Sequence, residues 1–251
     1  MSPEDLVAVV RGRWIALSCS DARFVPWRAT VAVAASSLLC PSGWCGIVTI
    51  AGATIATAAT EEQGAALSRA LATLPVDSHT DPTVLRMRVA IRETMGPASL
   101  AYATPDTIGG LPLDAEVQAI PARDVRVRKL LDDAGRDDAG ESGLADISSD
   151  AFVALRIGVV VAAAGYEVWR TGPAAIAHLC VLTASRWRAQ GLARAVAARA
   201  AADADRHGFL CQWRAGPAAS RRVATALGFL DLGAQVSVRM RGDEAPRPGA
   251  A

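Results

Sequence analysis

The sequence predicts a mixed α/β fold, and three observations predict it. Runs of β-branched and small apolar residues, such as "AFVALRIGVVVAAAGYEVWR" at 151–170, alternate with long helical patterns such as 191–206. From residue 115 onward the order is strand, helix, a second short helix, three strands, helix, strand, helix, strand. A meander followed by that alternation is what a mixed sheet flanked by helices produces. Finally, 251 residues at 51% hydrophobic can bury a substantial core. At about 100–200 residues per domain, that is one large domain or two small ones.

The elements of the N-terminal half are the harder to read. "WCGIVTIAGATIATAAT" suggests two strands turning at Ala51-Gly52. "EEQGAALSRALATL" suggests a helix. "DPTVLRMRVAIRET" suggests another, with Asp81 as cap and Pro82 in the first turn. "GPASLAYAT" reads as strand or loop, and "DTIGGLPLD" at 106–114 as a linker. The expected division is therefore an α/β domain over 1–110 of unassigned role, a second domain over 111–241, and a mobile tail at 242–251.

The C-terminal half is clearer. "EVQAI" at 116–120 reads as a short strand, and Pro121 and Asp124 open a helix that Gly135 ends. Two strands turn near Ile157-Gly158, and Gly172-Pro173 marks another turn. "IAHLCVLT" at 176–183 is a third strand. A helix then runs from Gly191 to about Arg206, with Leu192, Val196 and Ala200 on one side and Gly208 as a left-handed cap. "FLCQW" at 209–213 is a strand. Gly216 and Pro217 start a helix that stops at Gly228, and "GAQVSVRM" at 233–240 is a last, alternating strand.

Charge and cysteines narrow the function classes. With 26 basic and 25 acidic residues, nothing demands nucleic acid as a partner. The apolar runs fall short of the ~18 residues of a membrane span, and the first residues lack a basic-then-apolar leader pattern. Five cysteines without a CxxC pair, and three histidines none of which is near Cys40 or Cys45, point to buried, reduced thiols in a cytoplasmic protein without metal. A homodimer is the expected assembly if the chain associates.

The informative segment is "VLTASRWRAQGLARA" at 181–195. A strand stops and a helix starts, with small residues at Gly191 and Ala193. A helix N-terminus presents unpaired N–H groups and a partial positive charge, which suits phosphate. Arg186, Arg188 and Arg194 would add charge-assisted bonds. Neither GxxxxGK[ST] nor GxGxxG is present at such a junction.

What is present, "RAQGLA" at 188–193, resembles the acetyl-CoA-binding motif of the GNAT acyltransferase superfamily, Arg/Gln-x-x-Gly-x-Gly/Ala. Arg188, Gly191 and Ala193 hold its three defining positions. "ASRRVATALGF" at 219–229 resembles that family's second coenzyme-side helix with its Leu-Gly-Phe ending. The similarity covers about residues 115–241. It implies a central mixed sheet whose two parallel strands, 176–183 and 209–213, splay apart. It also implies acetyl-CoA as co-substrate, with no metal. Its pantetheine arm would lie along Val181, Leu182 and Thr183. Its diphosphate would lie on the amides of Arg188, Ala189, Gln190, Gly191, Leu192 and Ala193, with Arg194 beside it. An N–H near Val181 would steady the oxyanion as a primary amine of a small molecule or peptide attacks directly. The resemblance allows residues 1–110 to be a degenerate copy of the same fold. The alternative favoured on size is that they extend the sheet and wall the acceptor site.

The sequence also departs from the family. Ala175 stands where a glutamate often begins the coenzyme strand, Ala224 where a tyrosine often acts as acid, and Pro217 where an asparagine is common. The replacement catalytic candidates are Glu167, His178 and Ser220, the last also a coenzyme contact. Each has a plain alternative: Glu167 facing solvent, His178 as a core histidine on the other sheet face, Ser220 bonding its own helix. Arg214, Arg221 and Arg222 could reach a coenzyme phosphate or form a solvated face. Trp169, Trp187 and Trp213 read as packing residues, one of which could stack on substrate. A non-catalytic acyl-CoA binder is the alternative to an N-acetyltransferase. An enzyme acting on protein or RNA is a third reading.

Overall fold

The turn at Ile157-Gly158 closes the hairpin that organises the C-terminal half. Both residues take positive φ, 51° and 74°, the geometry of a two-residue hairpin turn. The structure is a computed structural model, and it describes residues 1–171 and 174–241. The expected turn at 172–173 and the expected tail at 242–251 lie outside the described residues.

In chain order the helices and strands are α1 (Pro3–Ser18), β1 (Ala29–Val33), β2 (Cys45–Ile50), β3 (Ala53–Ala58), α2 (Glu61–Ala72), α3 (Pro82–Arg86) and β4 (Ile91–Tyr102). Then follow α4 (Pro105–Gly109), β5 (Gln118–Ile120), α5 (Val125–Ala134), α6 (Arg136–Ser142), β6 (Ala151–Arg156), β7 (Val159–Thr171) and β8 (Ala174–Thr183). The last are α7 (Leu192–Arg206), β9 (Leu210–Ala215), α8 (Ala218–Ala226) and β10 (Leu230–Met240). The chain packs as two units. One is Ala101–Asp231 with Met1, and the other is Ser2–Leu100 with the segment from Leu232 onward. This grouping differs from a division at residue 110: the final strand falls with the N-terminal residues.

In the unit built on Ser2–Leu100, β2 and β3 form a hairpin through Ala51-Gly52. β1 runs parallel to β3, and β10 runs antiparallel to β2. The Ser2–Asp5 capping box opens α1, whose Leu6, Val10 and Trp14 recur every four residues and are buried. α2 carries its own box, Thr60 with Gln63. One core joins Ile47, Ala56, Leu67, Leu71, Leu85 and Val236. The helix expected over 81–94 is cut short. Asp81 does cap it, accepting from the Thr83 amide at 2.7 Å, but it ends at Arg86 and Ile91 starts β4. The β-branched Ile91 gains more from a sheet than from prolonging a short helix.

In the unit built on Ala101–Asp231 the strand order is β5-β6-β7-β8-β9, antiparallel except for the parallel pair β8 and β9. Alternation sorts the side chains. Tyr166, Ala177, Leu179 and Trp213 pack with α7 on one face. Val153, Ala163, Cys180 and Leu182 pack with Val127 and Leu130 of α5 on the other. Gly165 on β7 is where the segment before β6 crosses. A Cβ there would stand 2.6 Å from Ile147 Cδ1 and 3.0 Å from Ser149 Oγ. The space is used instead by main-chain bonding, since the Tyr166 amide donates to Ser149 Oγ at 2.9 Å.

The expected order of elements in 115–241 holds. Pro217 proves to be the N-cap of α8 rather than its first residue. All five cysteines are unbridged. Cys45, Cys180 and Cys211 are buried, but Cys40 is only half-buried and Cys19 is exposed, so burial does not extend to every thiol. No described helix is long and apolar enough to cross a membrane.

Candidate functional site

β8 and β9 pair only at Ile176–Leu210, Ala177–Cys211 and His178–Gln212. Beyond His178, β8 continues for five residues and keeps its bonds to β7 as far as Thr183–Ala162. β9 runs on to Ala215 unpaired with it. The two strands thus form a fork, and β8 is unpaired with β9 from Leu179 onward.

At the open end of the fork the chain turns into α7. Arg188 N donates to Ser185 O at 3.3 Å, and Ala195 N donates to Gly191 O at 3.1 Å. Between them, the amides of Ala189, Gln190, Gly191, Leu192, Ala193 and Arg194 have no acceptor among the described residues. The free run therefore begins one residue later than Arg188 and extends one further than Ala193. Ala189 and Gly191 take φ of 62° and 79°. Alternating left-handed and ordinary residues turn successive N–H groups into one concavity, a shape that takes anions. A Cβ on Gly191 would meet nothing within 4 Å, so glycine is required there by φ and not by space.

The fork and this loop border a cleft of about 610 Å³. Val181, Leu182, Thr183 and Ser220 line it, as do the loop residues from Arg188 to Arg194 other than Gln190. Trp187, Trp213, Arg214 and Arg222 add to the wall, and α6 contributes Asp138 and Glu141, which sequence reasoning had not singled out. The Thr183 Oγ1 and Trp187 Nε1 atoms are buried without partners. Arg188 is not the free phosphate donor expected of it: its Nη2 reaches Asp138 Oδ2 at 2.6 Å and its Nε points at Thr183 O at 3.3 Å. Both charged side chains are about half exposed, and such a pair is worth about 0–1 kcal/mol, so an anion can displace it.

Ser220 sits in the first turn of α8. Its Oγ accepts from Trp213 Nε1 at 2.9 Å, which leaves the hydroxyl proton free to donate into the cleft. Trp213 also meets Phe229 edge-on at 5.7 Å, so it is both packing residue and cleft wall. Ala224 is buried in the core under α8. A tyrosine at that position would enter the core rather than the cleft.

Glu167 and His178 stand side by side as register partners on β7 and β8. They lie on the sheet face turned away from α7, and neither lines the cleft itself. Both are half-buried. The His178 ring stacks obliquely on Trp169 at 5.0 Å. Burial, with the positive Arg214 as a second cause, pushes the His178 pKa down to about 4, so the ring is neutral at neutral pH. The same face holds Gln212 and Arg214. Gln212 is fully buried and donates from Nε2 to the Tyr102 hydroxyl at 2.7 Å. Burial also lowers the pKa of Arg214, opposed by Glu141 and Glu167. Sequence reasoning missed Gln212 and Tyr102 altogether, because Gln212 meets the fork only through the register of β9 on β8, and Tyr102, at the end of β4, only through its hydroxyl's bond to Gln212.

The donor set fits a coenzyme built of diphosphate, pantetheine and thioester. Free amides could cradle an anion, an unpaired strand edge could pair an amide-bearing arm, and a hydroxyl stands near the fork.

No family model matches the chain, and no curated protein matches it. Solved structures do resemble it. A GNAT-family acetyltransferase from Colwellia psychrerythraea is 14% identical, with a TM-score of 0.45 over 63% of this chain and 60% of that one. A GCN5-related N-acetyltransferase from Kribbella flavida is 20% identical, with a TM-score of 0.45 over 64% and 63%. A GCN5-related N-acetyltransferase-like protein from Streptococcus suis is 20% identical, with a TM-score of 0.38 over 58% and 61%. The chain thus spans less than two thirds of each of those chains.

Proposed function

We propose that the protein is an N-acetyltransferase that moves an acetyl group from acetyl-CoA to a primary amine of a small molecule or peptide, by direct attack in a ternary complex. One observation carries the reading: six consecutive free amides, Ala189 to Arg194, stand at the mouth of a fork between two parallel strands. Acetyl-CoA supplies a thioester carbonyl activated toward amines.

The amides of 189–194 hold the diphosphate, with Arg194 and Arg222 beside it. The edge of β8 at Val181–Thr183 pairs the pantetheine arm, and a main-chain N–H near Val181 meets the developing oxyanion. The acceptor nitrogen bonds the acyl carbon as the carbon–sulfur bond breaks. Glu167, which stands behind the cleft wall, takes through an intervening water the proton that the nitrogen sheds, and the Ser220 hydroxyl donates a hydrogen bond to the departing sulfur. His178 is a poor base at a pKa near 4 and serves better as a neutral hydrogen-bonding group. Holding both reactants in one site can contribute about 7–11 kcal/mol, which suits a site with few acid–base groups. The fuller reading is a cytoplasmic enzyme, able to form a homodimer, with no nucleic-acid or membrane partner.

The test is calorimetry with CoA and acetyl-CoA, followed by free-thiol release over a panel of amines. Binding with turnover of at least one amine supports the enzyme, and no binding removes the proposal. A second reading is favoured by Ala175 and Ala224: a non-catalytic acyl-CoA sensor or scaffold, which would bind the coenzyme and turn over nothing.

A further inference from the structure

The sheet face turned away from α7 carries polar groups that hold no part of the coenzyme in this reading. Trp213 points its indole to Ser220 on α8, so strand alternation sends Gln212 and Arg214 to the opposite face. His178 pairs with Gln212 across the parallel strands and with Glu167 across the antiparallel ones, and side-by-side partners share a face. Glu141 of α6 is the remaining charged group acting on Arg214. Three buried polar atoms in this set lack partners: His178 Nδ1, Gln212 Oε1 and Arg214 Nε. Gln212 has no exposed surface at all.

Arg214 is the costly member. It is half-buried in the cleft wall, and it forms no ion pair with the two acids whose field it feels. A guanidinium offers five N–H donors in a fork that matches a carboxylate. Its Nε is buried without a hydrogen-bond partner, and leaving such a donor unsatisfied costs free energy until something completes it. The neighbouring charges have a pattern: Glu141 lines the cleft with Arg214, Glu167 shares its sheet face, and both carboxylates act on its cation. Acids beside a cation are the complement of a zwitterion, whose ammonium the carboxylates would draw and deprotonate and whose anion the guanidinium would hold.

We propose that Arg214 receives a carboxylate carried by the acceptor, so that the substrates of this site are amines bearing an acidic group, of the amino-acid or short-peptide class. The inference rests on the transferase reading and names its substrate class. The coenzyme's phosphates are the other source of an anion. They are served by the main-chain amides at the start of α7, which packs on the opposite face, whereas Arg214 shares its face with Glu167.

The experiment compares matched amines: amino acids and dipeptides, each beside its carboxamide and its decarboxylated amine. Free-thiol release gives kcat/KM, and calorimetry gives the Kd for CoA. The wild-type protein is expected to favour acids over amides by about 10–100-fold, the worth of hydrogen bonds to a charged group. R214Q is expected to lose that preference while its CoA affinity stays within about twofold, and R214K to keep part of it. Failure of CoA to bind overturns the transferase reading and this inference with it. If CoA binds but acids and amides react alike, or no acid in the panel reacts, the inference alone falls. It also falls if R214Q weakens CoA binding and leaves the preference intact, which would assign Arg214 to the coenzyme. The comparison of acid with amide on the wild-type protein decides the matter even if R214Q does not fold.

Discussion

His178 and Gln212 are the last residues joined across the parallel strands β8 and β9, and every feature of the site is arranged around the point where they part. Below them the sheet is closed. Above them β8 is unpaired with β9, and the chain that leaves it turns into six unbonded amides.

Gly191→Ala tests the amide concavity. The added methyl meets nothing, so its whole effect is backbone strain at φ 79°. That strain is about 1–2 kcal/mol for an ordinary residue, and the loop relieves it by turning its N–H groups away. CoA is expected to bind about 5–30-fold more weakly by calorimetry, with an unchanged circular-dichroism spectrum. Gly191→Asn should lose less, because asparagine tolerates the left-handed region.

Glu167→Gln keeps the shape and removes the proton acceptor. Turnover at neutral pH is expected to fall about 10²–10⁴-fold, with CoA affinity unchanged. An unaltered kcat would remove Glu167 from the mechanism.

Ser220→Ala strips the acceptor from the Trp213 indole, which is 4% exposed. Leaving that donor unsatisfied costs about 1–3 kcal/mol, read as a lower urea midpoint. Trp213→Phe removes the other partner. The double variant is expected to be less destabilised than the two single effects added, which identifies a shared bond. Thiol release should slow in Ser220→Ala beyond what its stability loss explains.

His178 fixes the sign of one pH effect. Its pKa in the folded protein is lowered to about 4, against about 6.5 in an unfolded chain. Between those values the unfolded state binds the extra proton, so folding weakens as pH falls from about 6.5 to about 4 and this contribution is level below that. Urea unfolding of His178→Gln against wild type should show the variant losing less stability over that interval. Parallel pH curves would mean that His178 is not held neutral.

The legible parts of the sequence were those with local causes. The hairpin at Ile157-Gly158, the helix from Leu192 and the loop before it are encoded in neighbouring residues. α1 went unread because Val7, Ala8 and Val9 between Leu6 and Val10 are themselves apolar and blur its stripe. Asp81 and Pro82 announced a helix correctly but could not say where it stopped, since β4 is drawn off at Ile91 by its place in a sheet. The site divides the same way. The amide cradle follows from spacing around Gly191. Gln212 acquires meaning only from the register of one strand against another. That register also sets Arg214, read from the sequence as a coenzyme-side or solvated arginine, on the face of Glu167. Asp138 and Glu141 acquire theirs only from where α6 settles over the fork.

The parting of β8 from β9 has a consequence for handling the protein. A strand edge left without neighbours solicits any extended chain, including another copy of itself. By the proposed reading, this edge is one place where copies of the protein would stick together when no coenzyme is present, and a ligand lying along it would act as a stopper. Light scattering of stored samples is therefore expected to rise more slowly when CoA is present.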